Sequence, residues 1–255
     1  VGGQIIYEQP LSERIRAFLR LESLFIQAGH TLGGASPWDS RATLSTLFEI
    51  LNVMGRADLK GELLKELERH GATLTRLEQV PEVDQQRLNQ ILDQLDAQVD
   101  RLHAVEGQLG QALRQHEFIN SIRQRASIPG GTCDFDLPAY HFWLERPALE
   151  RLRDLQEWLN TLEPVQSAVA LILKLIRDSA MPSRECAQAG FLQKSLDPDL
   201  PCQLVRVAVP SSLPCYAEIS GGKHRITVRF MEYVKDGRAV QAAQDIEFAL
   251  YCCLI

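Results

Sequence analysis

One short strand at the start of the chain constrains the fold more than any other feature. Residues 4–9 contain Ile5, Ile6 and Tyr7 and run into Pro10, the pattern of a β-strand. Strand-like sequence then disappears until beyond residue 130. The backbone N–H and C=O groups of a lone strand need partners, so residues 1–11 are expected to pair with strands beyond residue 130. The expected fold class is α+β: an all-helical domain, residues 12–125, inserted into a discontinuous β-strand-rich domain formed by residues 1–11 and 126–255.

The intervening sequence is helical in its spacing. Ser12 can cap a helix carrying Ile15, Phe18, Leu19, Phe25 and Ile26, and Gly29, Gly33, Gly34 and Pro37 are expected to break it. Leu44, Leu47, Phe48, Leu51 and Met54 line a second helix. Leu59, Leu63, Leu64 and Leu67 line a third, with Gly71 placed to end it. Leu88, Leu92, Leu95, Val99, Leu102, Leu109 and Leu113 then alternate in steps of four and three, with one skipped position at Glu106. This is a coiled-coil-like seam, and Gly107 and Gly110 beside the skip predict a break or kink. The run is short for a free coiled coil, so a long antiparallel pair inside the helical domain is the preferred reading.

The character changes at Ile128-Pro129-Gly130-Gly131. Residues 133–144 read as extended chain, followed by helices over 147–162 and 164–179, each with proline near its first turn. The second is apolar on most sides and is expected to be buried. Residues 180–201, rich in Pro, Ser, Gln and Asp, read as a loop. Strands are expected at 203–209, 216–220, 224–233 and 245–252, with Ser220-Gly221-Gly222-Lys223 supplying a hairpin turn.

The net charge of −6 argues against a general nucleic-acid binder. Two basic islands stand out against it: Arg114, Arg123 and Arg125, and Lys223, Arg225, Arg229, Lys235 and Arg238. Such islands point to a local anionic partner. No secretion signal or membrane span is visible, since the most apolar stretch, 168–176, is short and interrupted by Lys174. A cytoplasmic protein is expected, whose six cysteines are buried free thiols. Cys252 and Cys253 are adjacent on a strand, so they face opposite ways and do not form a metal pair.

No catalytic signature emerges. Gly221-Gly222-Lys223-His224 lacks the earlier glycine and the Ser/Thr of a phosphate loop, and His116-Glu117 lacks the second histidine of a zinc protease. Neither a dinucleotide fingerprint nor a nucleophile elbow is present. Cys133 and His141 form the one thiol–imidazole combination worth naming, and a cytoplasmic enzyme built on them is the alternative function. Asp134 and Asp136 lie on one side of the presumed extended segment, but two carboxylates are weak metal ligands without others. One surface pattern is sharper. On a strand through His224-Arg225-Ile226-Thr227-Val228-Arg229-Phe230, Ile226, Val228 and Phe230 take the inner face while Arg225, Thr227 and Arg229 take the outer. The two arginines then stand about 13 Å apart, suited to two anionic groups on one peptide. Arginine also grips carboxylates in bidentate fashion, which lysine does not.

Several stretches resemble the ZapD family of bacterial cell division proteins. They are Tyr7-Glu8-Gln9-Pro10-Leu11-Ser12-Glu13 with Arg16 and Phe18-Leu19-Arg20, Leu63-Leu64-Lys65-Glu66-Leu67-Glu68-Arg69, and Ile122-Arg123-Gln124-Arg125-Ala126-Ser127-Ile128-Pro129-Gly130-Gly131-Thr132-Cys133-Asp134-Phe135-Asp136-Leu137-Pro138 with His141 and Trp143-Leu144. Ile219-Ser220-Gly221-Gly222-Lys223-His224-Arg225 with Val228-Arg229-Phe230-Met231 completes the match, which runs in order from end to end. The resemblance implies a helical domain beside a strand domain, a homodimer, no cofactor and no enzymatic activity. It implies a partner, the C-terminal tail of the tubulin-like GTPase FtsZ, held in a positively charged pocket so that filaments are bundled at the division site, without nucleic acid, membrane or metal. Carried over by motif, Arg225 and Arg229 are the foremost contacts, followed by His141 and Lys223, then Arg20 and Arg114.

Overall fold

A computed structural model describes residues 3–55, 58–222, 224–235 and 237–254. The chain divides into two compact units, Val1–Arg16 with Leu173–Ile255 and Ala17–Ile172. The division falls within the first and last long helices, α1 (Glu13–Leu32) and α9 (Glu163–Asp178).

The strand-rich unit holds β1 (Gln4–Pro10), β2 (Ser183–Ala187), β3 (Phe191–Ser195), β4 (Leu204–Pro210), β5 (Cys215–Gly221), β6 (Arg225–Glu232), β7 (Val240–Gln241) and β8 (Ile246–Cys253). One antiparallel sheet runs β1-β4-β8-β2, and a second runs β3-β6-β5 with β7 also on β6. The N-terminal strand finds its partner as expected: β1 pairs β4 from Gln4↔Pro210 to Pro10↔Leu204. Hydrogen bonds from Ser211 N to Gly3 O at 2.8 Å and from Leu11 N to Gln203 O at 2.9 Å extend the ladder at both ends. Glu8 of the Tyr-Glu-Gln-Pro stretch accepts two bonds from Arg177, at 2.9 and 2.8 Å, so its carboxylate belongs to the framework of this unit.

The two sheets enclose one apolar core. Val205, Val207 and Val209 from β4 and Phe248 and Leu250 from β8 meet Ile226, Val228 and Phe230 from β6. Phe230 and Phe248 touch edge to face with ring centres 5.1 Å apart, a geometry that aromatic pairs prefer. Residues 180–201, expected to be a loop, contain β2 and β3. Ser-Arg-Glu-Cys-Ala and Phe-Leu-Gln-Lys-Ser carry little strand propensity of their own; each is recruited by pairing at a sheet edge, β2 with β8 and β3 with β6.

The helical unit continues α1 and adds α2 (Pro37–Met54), α3 (Leu59–Thr75), α4 (Gln85–Ala104), α5 (Gln111–Gln115), α6 (Glu117–Ala126), α7 (Pro138–Glu145) and α8 (Ala148–Asn160) before the start of α9. A capping box opens α2: Ser36 Oγ accepts from Asp39 N at 3.2 Å and Asp39 accepts from Ser36 N at 3.0 Å. Leu88, Leu95 and Leu102 of the leucine seam are buried on α4, which packs against α3. Lys60, at the start of α3, donates to Val105 O just past α4 at 2.7 Å, so the two helices run antiparallel. The seam breaks where expected. Gly107 and Gly110 both take positive φ, and a side chain at Gly110 would lie 2.7 Å from Leu51 Cδ2. Gly29 and Gly71 do not end their helices; α1 and α3 run through them, because neighbouring apolar residues hold those turns.

Residues 133–144 are not extended. After a series of turns they form α7 with Pro138 in its first turn. Tyr140, Trp143 and Leu144 are buried at helical spacing, and Tyr140 and Trp143 join Phe118 and Trp158 in an aromatic cluster. The cysteines are less uniformly buried than expected: Cys215 and Cys253 are buried, Cys202 and Cys252 half-buried, and Cys133 and Cys186 exposed.

Candidate functional site

Strand β6 positions the two foremost candidates. Its alternation matches the sequence reading: Ile226, Val228 and Phe230 are completely buried, while Arg225 and Arg229 are exposed on the other face. β6 is flanked by β3 and β5, so its backbone is held on both sides and the arginines rise from a rigid surface. The hairpin before it needs glycine, since a side chain at Gly221 would lie 2.9 Å from Ile226 Cγ2 and 3.0 Å from Leu11 Cδ2. Gly222 N donates to Arg225 O at 3.0 Å and closes the turn. Lys223 lies outside the described residues.

Register brings in two residues the sequence reading did not single out. Phe191 of β3 stands opposite Arg229, whose guanidinium carbon lies 5.8 Å from the ring centre. The ring's negative face attracts the cation and holds it over a half-open apolar surface. On the other side, Glu218 of β5 is the cross-strand partner of Arg229. No local pattern joins positions 191, 218 and 229; only the sheet does.

His141, Arg20 and Arg114 belong to the helical unit. His141 is exposed on α7, and its Nδ1 lies 3.2 Å from Asp134 Oδ1 in the preceding turns. Asp136 in the same segment lies 3.4 Å from Arg125. The two carboxylates thus engage different partners rather than sharing a metal-like site. Among the described residues no group of three or more His, Cys, Asp or Glu side chains gathers as a metal site.

Arg20 is exposed on α1 and lines a hollow of about 350 Å³ with Ser23, Leu24, Glu49, Asn52 and Val53. Arg114 is half-buried and donates to Leu109 O at 2.7 Å and to Leu51 O at 3.1 Å, the latter near the C-terminal end of α2. A guanidinium there satisfies helix-end carbonyls and complements their partial negative charge. Burial first and the charge of Arg123 second make Arg114 less basic than an ordinary arginine. Arg123 borders an adjoining hollow that shares Glu49 and Asn52 with the first. The helical unit therefore carries its own basic group, Arg20, Arg114 and Arg123, around the end of α2.

The fold and these surfaces define a protein of strands and helices that presents paired arginines on a rigid sheet face. The sequence profile described as "ZapD: Cell division protein" matches residues 19–229. A cell division protein ZapD of Methylococcus capsulatus is 49% identical over 253 residues, covering 99% of each chain. The ZapD of Aromatoleum aromaticum is 41% identical over 98% of this chain and 97% of its own, and that of Coxiella burnetii 39% identical over the whole of both. The chain belongs to the ZapD family of cell division proteins. Among the described residues no single helix is long and apolar enough to cross a membrane.

Proposed function

We propose that this cell division protein is an adaptor that binds the C-terminal tail of FtsZ and, as a homodimer, cross-links FtsZ filaments at the division site in the cytoplasm. The observation that carries this reading is the projection of Arg225 and Arg229 from one exposed face of a strand whose other face is buried. Two fixed cations on one strand suit an acidic peptide lying along or across the sheet. Lys223 extends this basic run in sequence. His141 and Arg20 are further contacts, and Arg114, whose hydrogen bonds go to carbonyls, contributes through its charge.

Charge alone is insufficient. Exposed ion pairs contribute about 0.2–1 kcal/mol each, whereas a micromolar complex needs about 8 kcal/mol. Part of the tail must bury apolar surface, and Phe191, 36% exposed beside Arg229, offers it. The arginines then set orientation and association rate. Bridging requires two sites, which a two-fold dimer supplies.

The test is co-sedimentation with FtsZ filaments. The wild-type chain is expected to pellet with full-length FtsZ and not with FtsZ lacking its tail. Arg225→Glu with Arg229→Glu is expected to lose binding and bundling while remaining folded, because both side chains point outward. A double variant that folds and still bundles would overturn the assignment. Analytical ultracentrifugation at micromolar concentration is expected to show twice the mass of one chain.

A further inference from the structure

The outward face around β6 changes character along the strand. The side chains that alternate with the buried Ile226, Val228 and Phe230 are Arg225, Thr227, Arg229 and Met231. On the flanking strands Ala217 of β5 and Leu192 of β3 turn into the core, so Tyr216, Glu218, Phe191, Gln193 and Ser195 share the outward face. Register sorts them. Arg225 stands opposite Ser195, and Thr227 lies between Gln193 and Ser220, so that end of the face is polar. Arg229 lies between Phe191 and Glu218, and Met231, the next outward residue, stands opposite Tyr216, so the other end is largely apolar. Lys194 adds no charge here: it turns inward, with Nζ 2.5 Å from Glu185 Oε1 on β2.

The two arginines are therefore not equivalent. Arg225 is exposed, with a hydroxyl across the ladder. The Arg229 guanidinium carbon lies 5.8 Å from the Phe191 ring centre, and Met231 and Tyr216 beyond it are half-buried. Two like charges align an acidic peptide with the strand but do not tell its two ends apart. Apolar surface at one end only does. A large apolar side chain set over Ser195 and Gln193 would cover polar groups without giving them partners, which is unfavourable. The same side chain over Met231 and Tyr216 removes apolar surface from water.

We propose that Met231, Tyr216 and Phe191 form an apolar shelf that sets the direction and sequence preference of the bound peptide; this rests on the arginine face being the FtsZ tail site. The peptide it fits places a carboxylate on Arg229 and, about 7 Å further along, a large apolar side chain on Met231 and Tyr216, the spacing of successive outward positions on a strand. A second acidic group of the same peptide then lies at the polar end, on Arg225. Specificity of this kind combines an attractive contact at one end with an unfavourable one at the other.

Fluorescence anisotropy of a labelled FtsZ tail peptide with the full chain, at about 50 and about 500 mM salt, tests this. Met231→Ser and Tyr216→Ser are each expected to weaken binding roughly 3- to 10-fold, by the same factor at both salts, because the lost contact is apolar. Arg225→Gln is expected to cost more at low salt than at high. Met231→Leu, which restores apolar surface, should bind as wild type, and circular dichroism checks that each variant is folded. Combined with Arg229→Gln, Met231→Ser should lose less than the product of the single losses, because the two side chains hold neighbouring parts of the peptide. Combined with Arg225→Gln, roughly 20 Å away along the strand, the losses should multiply. Folded Met231→Ser and Tyr216→Ser chains that bind like wild type, while Arg225→Glu with Arg229→Glu does not bind, overturn the shelf and leave the arginine site standing. A loss that shrinks with salt, or that Met231→Leu does not restore, also overturns the shelf. Tail binding that survives the double arginine reversal, or a wild-type chain that does not bind the peptide, overturns both.

Discussion

Glu218 stands directly across the β5–β6 ladder from Arg229, on the sheet face that carries both candidate arginines. A carboxylate at this register competes with any acidic peptide for the same guanidinium. Glu218→Gln is therefore expected to tighten binding of an FtsZ tail peptide by roughly 1.4- to 5-fold, the range of one exposed ion pair. Fluorescence anisotropy with a labelled peptide measures it. Unchanged or weaker binding would show that the peptide does not use Arg229.

Salt should separate binding from bundling. Raising it from about 50 to about 500 mM screens each contact. A cross-link needs two engaged sites, and its apparent strength multiplies the single-site affinities through effective concentration. Light scattering of filaments should thus fall more steeply than peptide anisotropy over one salt series. Parallel curves would argue that a cross-link does not depend on two tails.

Arg151 tests the helical unit. It is buried on α8, and its guanidinium donates to Ser40 Oγ at 3.1 Å, Leu144 O at 3.0 Å and Ala35 O at 2.8 Å, and also to Arg146 O. Arg151→Met keeps much of the stem but strands these acceptors, so a loss of about 2–4 kcal/mol is expected. Urea denaturation followed by circular dichroism gives the value. A loss below that of Arg153→Met, on the exposed face of the same helix, would contradict the assigned role.

The Glu185–Lys194 bridge predicts a pH effect. The hydrogen bond from Lys194, and less so that from Ser183, lowers the Glu185 carboxyl against burial. A carboxyl lowered in the folded state stabilises at pH above its unfolded value, about 4.3, and that contribution fades as pH falls through the folded value. Glu185→Gln should be less stable than wild type at pH 7, with the gap closing below about pH 4. Chemical denaturation at pH 7, 5 and 3 traces it; a gap that stays constant with pH would place the effect in packing instead.

Much of the fold was legible because it rests on local periodicity. The buried residues of α2 and α4 recur at helical spacing, and β6 alternates over enough residues for its two faces to separate. Less legible were segments whose conformation comes from partners. Residues 133–144 contain apolar side chains on several sides, and the aromatic cluster with Phe118 and Trp158 selects the helix that buries Tyr140 and Trp143. β2 and β3 exist because β8 and β6 offer open hydrogen-bonding edges.

The candidate site divides the same way. That Arg225 and Arg229 share an exposed face followed from the sequence alone, because successive side chains on a strand must alternate. That N-terminal residues join C-terminal strands followed too, since backbone groups on an isolated strand cannot stay unpaired. That Phe191 holds Arg229 while Glu218 opposes it was decided only by the tertiary structure. These pairs come together through strand register and sheet order, which join residues far apart in the chain and leave no repeat or spacing to be read.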